Sequence, residues 1–306
     1  MLIAALLTCF NRRSKTVSCL EHLFEAQRQY NATATDDPIT LVIYLTDDGC
    51  TDGTADAVLS ICRKYSIQPN VILGDGSLYW AGGMRKAWRS ALADHRGYDF
   101  YLLLNDDTDV LPNVFDNLFR CHTHSLSLNQ RPGIYSGITA SRTDTQKVTY
   151  GGDIYLSAAK TLTRRLSPTG TPQRADIITA NILLVPQAVV DEIGIFYEGY
   201  IHSGADNDYS VTARRHGITS FVTPDICGLC DDDHTYDEGE CRRLMQMSFC
   251  ERRKYVNSPT RSDRDYLLLM RRTIPNKYPI SWLMRKLRLY CPSLYYKLNQ
   301  LRGYYV

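Results

Sequence analysis

The sequence predicts an α/β fold on a mostly parallel sheet flanked by helices, and three observations carry that expectation. Four apolar runs in the first 105 residues alternate with stretches of helical periodicity. The connections between them are short, which demands parallel pairing through right-handed crossovers. Three of the four runs end in polar or acidic residues, so Asn11, Asp48 and Asp107 line one edge of the sheet. That carboxyl edge is where open α/β sheets bind ligands.

Taken in order, residues 2–8 form the first strand. The loop Thr8-Cys9-Phe10-Asn11 leads to a helix over 14–29, with Val17, Leu20, Leu23 and Phe24 at helical spacing. A β-branched strand over 40–46 ends in Asp47-Asp48-Gly49, and the next helix starts near Asp52. Strand three is 71–73. The glycine-rich stretch 74–83 then enters a helix through Trp88 and Leu92. Strand four closes in LLLNDDTDV, 102–110, where Leu102, Leu103 and Leu104 read as buried on both faces. Asn105, Asp106, Asp107 and Asp109 crowd its end. Packed carboxylates repel one another, so a cation between them is one reading. Ordinary turn chemistry is the other, with Pro112 opening a helix just beyond. From 133 to 185, short runs separated by turns suggest antiparallel additions, with a strand over 177–185. Pro186 opens a short helix ending near Gly194. A tyrosine-rich loop precedes Gly204-Ala205-Asp206-Asn207-Asp208 and a helix running to His216-Gly217.

The chain has 306 residues, 44% hydrophobic and 22% charged, the balance of an ordinary globular protein. Its net charge of +2 hides an asymmetry, because from Cys241 onward there are fifteen Lys/Arg against three acids, Glu251, Asp263 and Asp265. An acidic body with a basic tail suggests that the tail touches something anionic. Residues 1–10 are apolar but lack a basic leader and are too short to span a bilayer, so they read as a buried strand. The ten cysteines follow no framework and are expected to be mostly reduced, buried thiols in a cytoplasmic protein. Cys227 and Cys230, with Cys241 and Cys250, resemble a zinc set only loosely, because the second pair is too widely spaced. Nothing in the composition suggests nucleic acid. No Gly-Lys-Ser/Thr follows the glycines and no G-x-G-x-x-G is present, which excludes the Walker and Rossmann fingerprints.

The ordered segments Phe10-Asn11-Arg12, DDGCTDGT (47–54), GDGSLYWAGG (74–83), NDDTD (105–109) and ADNDYSVTARRHG (205–217) resemble the family 2 glycosyltransferases of GT-A fold. The likeness is to bacterial enzymes of surface-polysaccharide synthesis, including rhamnosyltransferase-like members, and it covers about residues 1–235. It implies a glycosyltransferase domain over 1–240, with a nucleotide-binding half to 110, an acceptor-binding half to 240, and a basic helical extension over 241–306. It implies that Asp48 contacts the nucleotide base, Asp107 supplies the metal carboxylate, and Asp206 is the catalytic base of an inverting displacement. The donor-binding set is Thr8, Phe10, Asn11, Arg12, Asp48 and Asp75. It continues through Trp80, Gly82, Gly83, Arg85 and Asp106, with Arg85 and Lys86 near the diphosphate. Tyr200, His202 and Asp208 are expected to face the acceptor.

This chain departs from the family pattern in three places. Asn105 replaces the first acid of D-x-D, so the metal would lean on Asp109. Ala205 replaces an acid before Asp206. The family's histidine position falls near Cys230, and the nearest imidazole is His234, either a metal ligand or part of a solvated acidic loop.

The residue types suit the chemistry. Mg²⁺ or Mn²⁺ on a carboxylate steadies a leaving diphosphate, and a second carboxylate deprotonates the acceptor hydroxyl. A nucleotide-diphosphate sugar, UDP- or dTDP-linked, is the expected donor, and a glycan or lipid-linked glycan the acceptor. Asp206 can equally cap its helix, and Tyr79 and Trp80 can stack on a ligand or belong to the core. In the tail, Leu283, Leu287 and Tyr290, then Leu294, Leu298 and Leu301, recur at helical spacing with Arg285, Lys286 and Arg288 between them. Such a face suits an anionic membrane surface, such as the inner face of the plasma membrane, or packing on the body. A sugar-phosphate nucleotidyltransferase is the rival enzyme, although no glycine loop follows the first strand. A silent glycan- or nucleotide-binding module is the rival of another class.

Overall fold

The computed structural model describes residues 1–34, 37–157, 162–232, 238–261 and 263–301. The first half alternates as expected: β1 (Leu2–Cys9), α1 (Arg13–Thr33), β2 (Thr40–Asp47), α2 (Thr54–Lys64), β3 (Pro69–Leu73), α3 (Tyr79–Ala93) and β4 (Phe100–Leu104). A two-residue β5 (Asp109–Val110) and α4 (Val114–Asn129) follow, then β6 (Ile134–Ala140), β7 (Val148–Tyr150), β8 (Gly152–Tyr155), β9 (Thr163–Arg165) and β10 (Gln173–Ala175). The chain continues through β11 (Ile177–Ile178), β12 (Ile182–Pro186), α5 (Gln187–Ile193), α6 (Ala205–Arg215) and β13 (Ser220–Leu229). Five helices end it: α7 (Glu238–Gln246), α8 (Phe249–Val256), α9 (Asp263–Thr273), α10 (Tyr278–Tyr290) and α11 (Pro292–Leu301).

The main sheet runs β10-β13-β6-β12-β4-β1-β2-β3. β3, β2, β1 and β4 are mutually parallel, while β12 lies antiparallel between β4 and β6. Cys9 pairs with Asp47 at the ends of β1 and β2, which puts the loops carrying Asn11 and Asp48 side by side. A small second sheet, β11-β8-β9, holds the inserted hairpins.

The leucine run behaves as its composition requires. Leu102 and Leu104 join the apolar layer with α1, α2 and α4, and Leu103 joins the opposite layer with Trp88, Phe196 and Tyr209. All three leucines are fully buried. At about 1.5–3 kcal/mol for each such side chain, the strand is anchored from both faces, and the residues after it are fixed at the sheet edge.

Two elements differ from the sequence reading. α3 begins at Tyr79, so Gly82 and Gly83 lie in its first turn instead of in the loop before it. The strand expected over 177–185 is broken: β11 pairs with β8 in the small sheet, β12 pairs with β4, and residues 179–181 turn between them. Apolar periodicity continued across the turn and concealed it.

Candidate active site

The loops leaving β1, β2 and β4 meet at one edge. Arg12, at the start of α1, donates through Nη1 to Asp106 Oδ1 at 3.0 Å and Asp107 Oδ2 at 2.9 Å. Asp106 also accepts from Thr16 Oγ1. Burial pushes the Asp106 carboxyl up to about 6; Arg12 opposes that shift and neighbouring Asp107 adds to it. The other oxygen of Asp107 lies 3.9 Å from the Sγ of Cys230, the residue after β13. His234 lies outside the described residues.

The turn at 179–181 joins this corner to Asp206. Asn181 donates from Nδ2 to Cys230 Sγ at 3.6 Å, and its carbonyl accepts the Asn105 N–H at 3.1 Å. The adjacent Ala180 N–H donates to Asp206 Oδ2 at 3.1 Å. Asp206 thus stands two residues of backbone from the group facing Asp107. It occupies the first turn of α6 behind Gly204, accepts its neighbour Asn207's N–H at 2.9 Å, and has a carboxyl raised by burial. Asn105, substituting for an acid, accepts the Trp80 indole N–H at 2.7 Å. Trp80 itself is partly buried and packs on Phe196 at the margin of the core.

Other sequence-predicted residues are brought to the same edge with different partners. Asp48 is buried, and its carboxylate accepts the backbone N–H groups of Gly76, Leu78 and Tyr79 at 3.0 Å each. It therefore caps the loop entering α3, and a base contact would have to share this saturated carboxylate. Asp75 turns on Ser77, accepting both its N–H and hydroxyl. Asn11, at φ +51°, accepts the Thr51 N–H at 2.7 Å and ties the first two loops together. Phe10 is 54% exposed. Gly83 is explained by close approach: a Cβ there would lie 2.1 Å from Thr8 Oγ1, so glycine lets α3 settle on β1.

Four of the expected site residues have partners that the sequence did not disclose. Asp109 accepts from Ser18 at 2.9 Å and from Arg142 at 2.9 and 3.1 Å, so like Asp107 it already has an arginine partner. Arg85 points away from the donor edge; it is buried and donates to the Tyr197 and Tyr200 carbonyls. Tyr200 is fully buried within the 197–204 loop instead of standing at its rim. Asp208 is closed off by Arg272 of α9, whose Nε donates to both oxygens at 2.9 and 3.0 Å. His202 is half-buried, edge-on to Tyr79 at 6.4 Å.

The reading of the sequence missed Asp265. It is buried in α9 and accepts the N–H groups of Ile201, His202 and Ser203 at 3.2, 2.8 and 3.1 Å. Arg85 and Asp265 together hold the loop before Asp206 from both sides. The signal was present: Asp265 is one of only three acids in a strongly basic tail. The other two also have partners, since Asp263 binds Arg285 and Arg288, and Glu251 completes a capping box on α8. The tail packs on the body through α9.

A groove of about 790 Å³ opens between α1 and α2 beside Asn11, Arg12 and Asp52. Neither Asp107 nor Asp206 lines it, so it does not define the reactive centre. Asp107 stands outside any cluster of three potential ligands among the described residues, and Cys227, Cys230, Cys241 and Cys250 form none either.

No protein-family model matches the sequence, and no curated protein matches it. Solved structures do. The mannosyltransferase PcManGT from Pyrobaculum calidifontis, in complex with GDP-Man and Mn²⁺, aligns over 96% of this chain and 72% of its own, at 15% identity and TM-score 0.51. GalNAc-T7 with UDP, GalNAc and Mn²⁺ aligns over 99% of this chain and 55% of its own, at 14% identity and TM-score 0.59. The fold is GT-A. TarS from S. aureus, at 13% identity and TM-score 0.50, aligns over 91% of this chain and 45% of its own. The chain thus spans about half the length of two of these GT-A proteins.

Proposed function

We propose that the chain is an inverting glycosyltransferase of family 2 type. It moves a sugar from a UDP- or dTDP-linked donor to a glycan or lipid-linked glycan in bacterial surface-polysaccharide synthesis. The observation that carries this reading is the 180–181 turn, which links Asp206 to the Asp107 corner through Ala180, Asn181 and Cys230. A transferase of this kind needs a carboxylate at the acceptor and another at the leaving diphosphate, held apart but in fixed relation.

Asp206 is the base in this reading. Two N–H donors orient its oxygens, and burial raises its basicity toward the working pH. Asp107 fits the minimal set for a divalent cation, because Mg²⁺ and Mn²⁺ are commonly held by one or two carboxylates plus substrate phosphates. Cys230 stands beside it, and Arg12 is the cation now on its second oxygen. When bound, the ion would neutralise charge on the leaving diphosphate. That two of the similar structures carry Mn²⁺ with a nucleotide or nucleotide sugar supports this reading. Asp48 shapes the base pocket by holding the 74–79 loop. Residues 1–110 serve the donor, 111–240 the acceptor, and the extension braces the acceptor loop.

The extension also supports a place on the cytoplasmic face of a membrane. Ile280, Trp282, Leu283, Tyr290 and Leu294 are exposed on α10 and α11, with Lys286 over the Trp282 ring. Among the described residues, no helix is long and apolar enough to cross a membrane.

Thermal unfolding with UDP, GDP, dTDP and CMP, each with and without Mn²⁺, tests the donor site. A ligand at about 100 times its Kd adds about 2.7 kcal/mol. A shift for one nucleotide, enlarged by metal, is expected; flat melting curves throughout would overturn the assignment.

A further inference from the structure

The end of β1 and the turn after β2 bring a second set of potential ligands together, away from Asp107. Register pairing puts Cys9 beside Asp47. The turn then folds Cys50 back, its N–H donating to Asp47 Oδ1 at 2.7 Å. Cys9 Sγ and Cys50 Sγ lie 3.8 Å apart, and one atom from each of the three side chains falls within 4.8 Å of the others. Cys9 and Asp47 are buried, whereas Cys50 is partly open to solvent.

That spacing discriminates between uses of a cysteine pair. A disulfide requires about 2.0 Å between sulfurs. Two thiolates on one tetrahedral zinc, each about 2.3 Å from the metal, stand about 3.8 Å apart. The Asn11 N–H points at Cys50 Sγ from 3.2 Å, the kind of outer donor that orients a metal-bound sulfur.

We propose that Cys9, Cys50 and Asp47 form a thiolate-carboxylate site for a soft divalent cation of the zinc class, with a fourth position open on the Cys50 side. Each thiol gives its proton to solvent as its sulfur bonds the cation, so two S–H bonds break and two S–metal bonds form. Thiolates select zinc over Mg²⁺ or Mn²⁺, so this site is chemically separate from the Asp107 corner. Its occupancy fixes the 47–53 turn, and through Asp48 the 74–79 loop.

The test uses the full-length chain carrying Cys250→Ser and Cys291→Ser, which removes its exposed thiols. The reduced, chelator-treated protein is titrated with Co²⁺ and then Zn²⁺. One Co²⁺ per chain with an intense thiolate-to-cobalt band, displaced by Zn²⁺, is expected. Cys9→Ser and Cys50→Ser should abolish the band, and Asp47→Asn should weaken binding by about tenfold or more. Absence of the band, or its persistence in Cys50→Ser, would overturn the proposal. Should the serine variants fail to fold, alkylation decides: Zn²⁺ must protect Cys50 from iodoacetamide in the otherwise intact protein. An unchanged modification rate, or a Cys9–Cys50 disulfide forming equally fast with Zn²⁺ present, would also overturn it.

Discussion

Arg12 occupies the place a divalent cation would need, and removing it should tighten metal binding. Its Nη1 lies within 3.0 Å of both Asp106 and Asp107, so one positive charge is shared between two carboxyl groups. An ion arriving at Asp107 must displace that guanidinium or share the carboxylate with it. The Arg12 side chain is 43% exposed while Asp107 is 14% exposed, so the pair is a partly screened one. Such pairs are worth about 1 kcal/mol at most, which converts to about fivefold in affinity. Arg12→Gln should therefore bind Mn²⁺ about fivefold more tightly without nucleotide, as read from the free Mn²⁺ signal by electron paramagnetic resonance. The titration belongs at pH 8, because losing Arg12 lets burial raise Asp106 still further. Once the ion is bound, the displaced Arg12 is free to face the donor diphosphate. Nucleotide affinity should then fall in the variant while metal affinity rises. If Arg12→Gln binds Mn²⁺ no better, or worse, the guanidinium does not compete for the cation, and Asp107 is not its seat.

Four further outcomes follow from the same geometry. Asp206→Asn should cut transfer by about 10²–10⁴-fold with nucleotide affinity unchanged, and transfer at near wild-type rate would refute the base assignment. Asp265→Ala should strip acceptors from three loop amides at about 2 kcal/mol, lowering Tm by about 5 °C and acceptor use more than donor binding; loss of donor binding alone would contradict it. With chelator present, the raised Asp106 pKa means that the fold favours its protonated form. Its contribution is present below about 4 and lost as pH rises through about 6, on the order of 3 kcal/mol; Asp106→Asn should flatten that slope in denaturant melts, and an unchanged slope would assign it to other groups. Leu283→Glu with Trp282→Glu should reduce flotation with anionic liposomes, and equal flotation would remove the membrane role from α10.

Local pattern made half of this site legible. Strands that are apolar on both faces and end in carboxylates announce a parallel sheet edge, so Asn11, Asp48 and Asp107 could be placed before any tertiary contact was known. The contacts that decide what each side chain does were not legible, since they join distant parts of the chain. Arg85 reads as a cation near glycines, yet its partners are carbonyls more than 110 residues away. Asp109 reads as one more acid in a cluster until Arg142 arrives from the far side of β6. Asn181 sits between two apolar runs that read as one strand, and only the change of sheet partner between β11 and β12 shows that the chain turns there.

These long-range contacts share a logic. The loop over 197–204 carries no regular structure of its own, so its amides and carbonyls need partners from outside. Arg85 supplies two donors from α3 on the donor side, and Asp265 supplies a carboxylate from the C-terminal extension. Asp208, two residues beyond Asp206 in the same first turn of α6, is tied to the same extension through Arg272, which also lies over the Tyr197 ring at 3.7 Å. Asp206 is thereby held by a frame whose members come from three separate segments. Substitutions in α9 should therefore reach the chemistry without touching a substrate. In this fold the extension is a structural part of the frame around Asp206, because α9 is tied both to the loop before that residue and to α6.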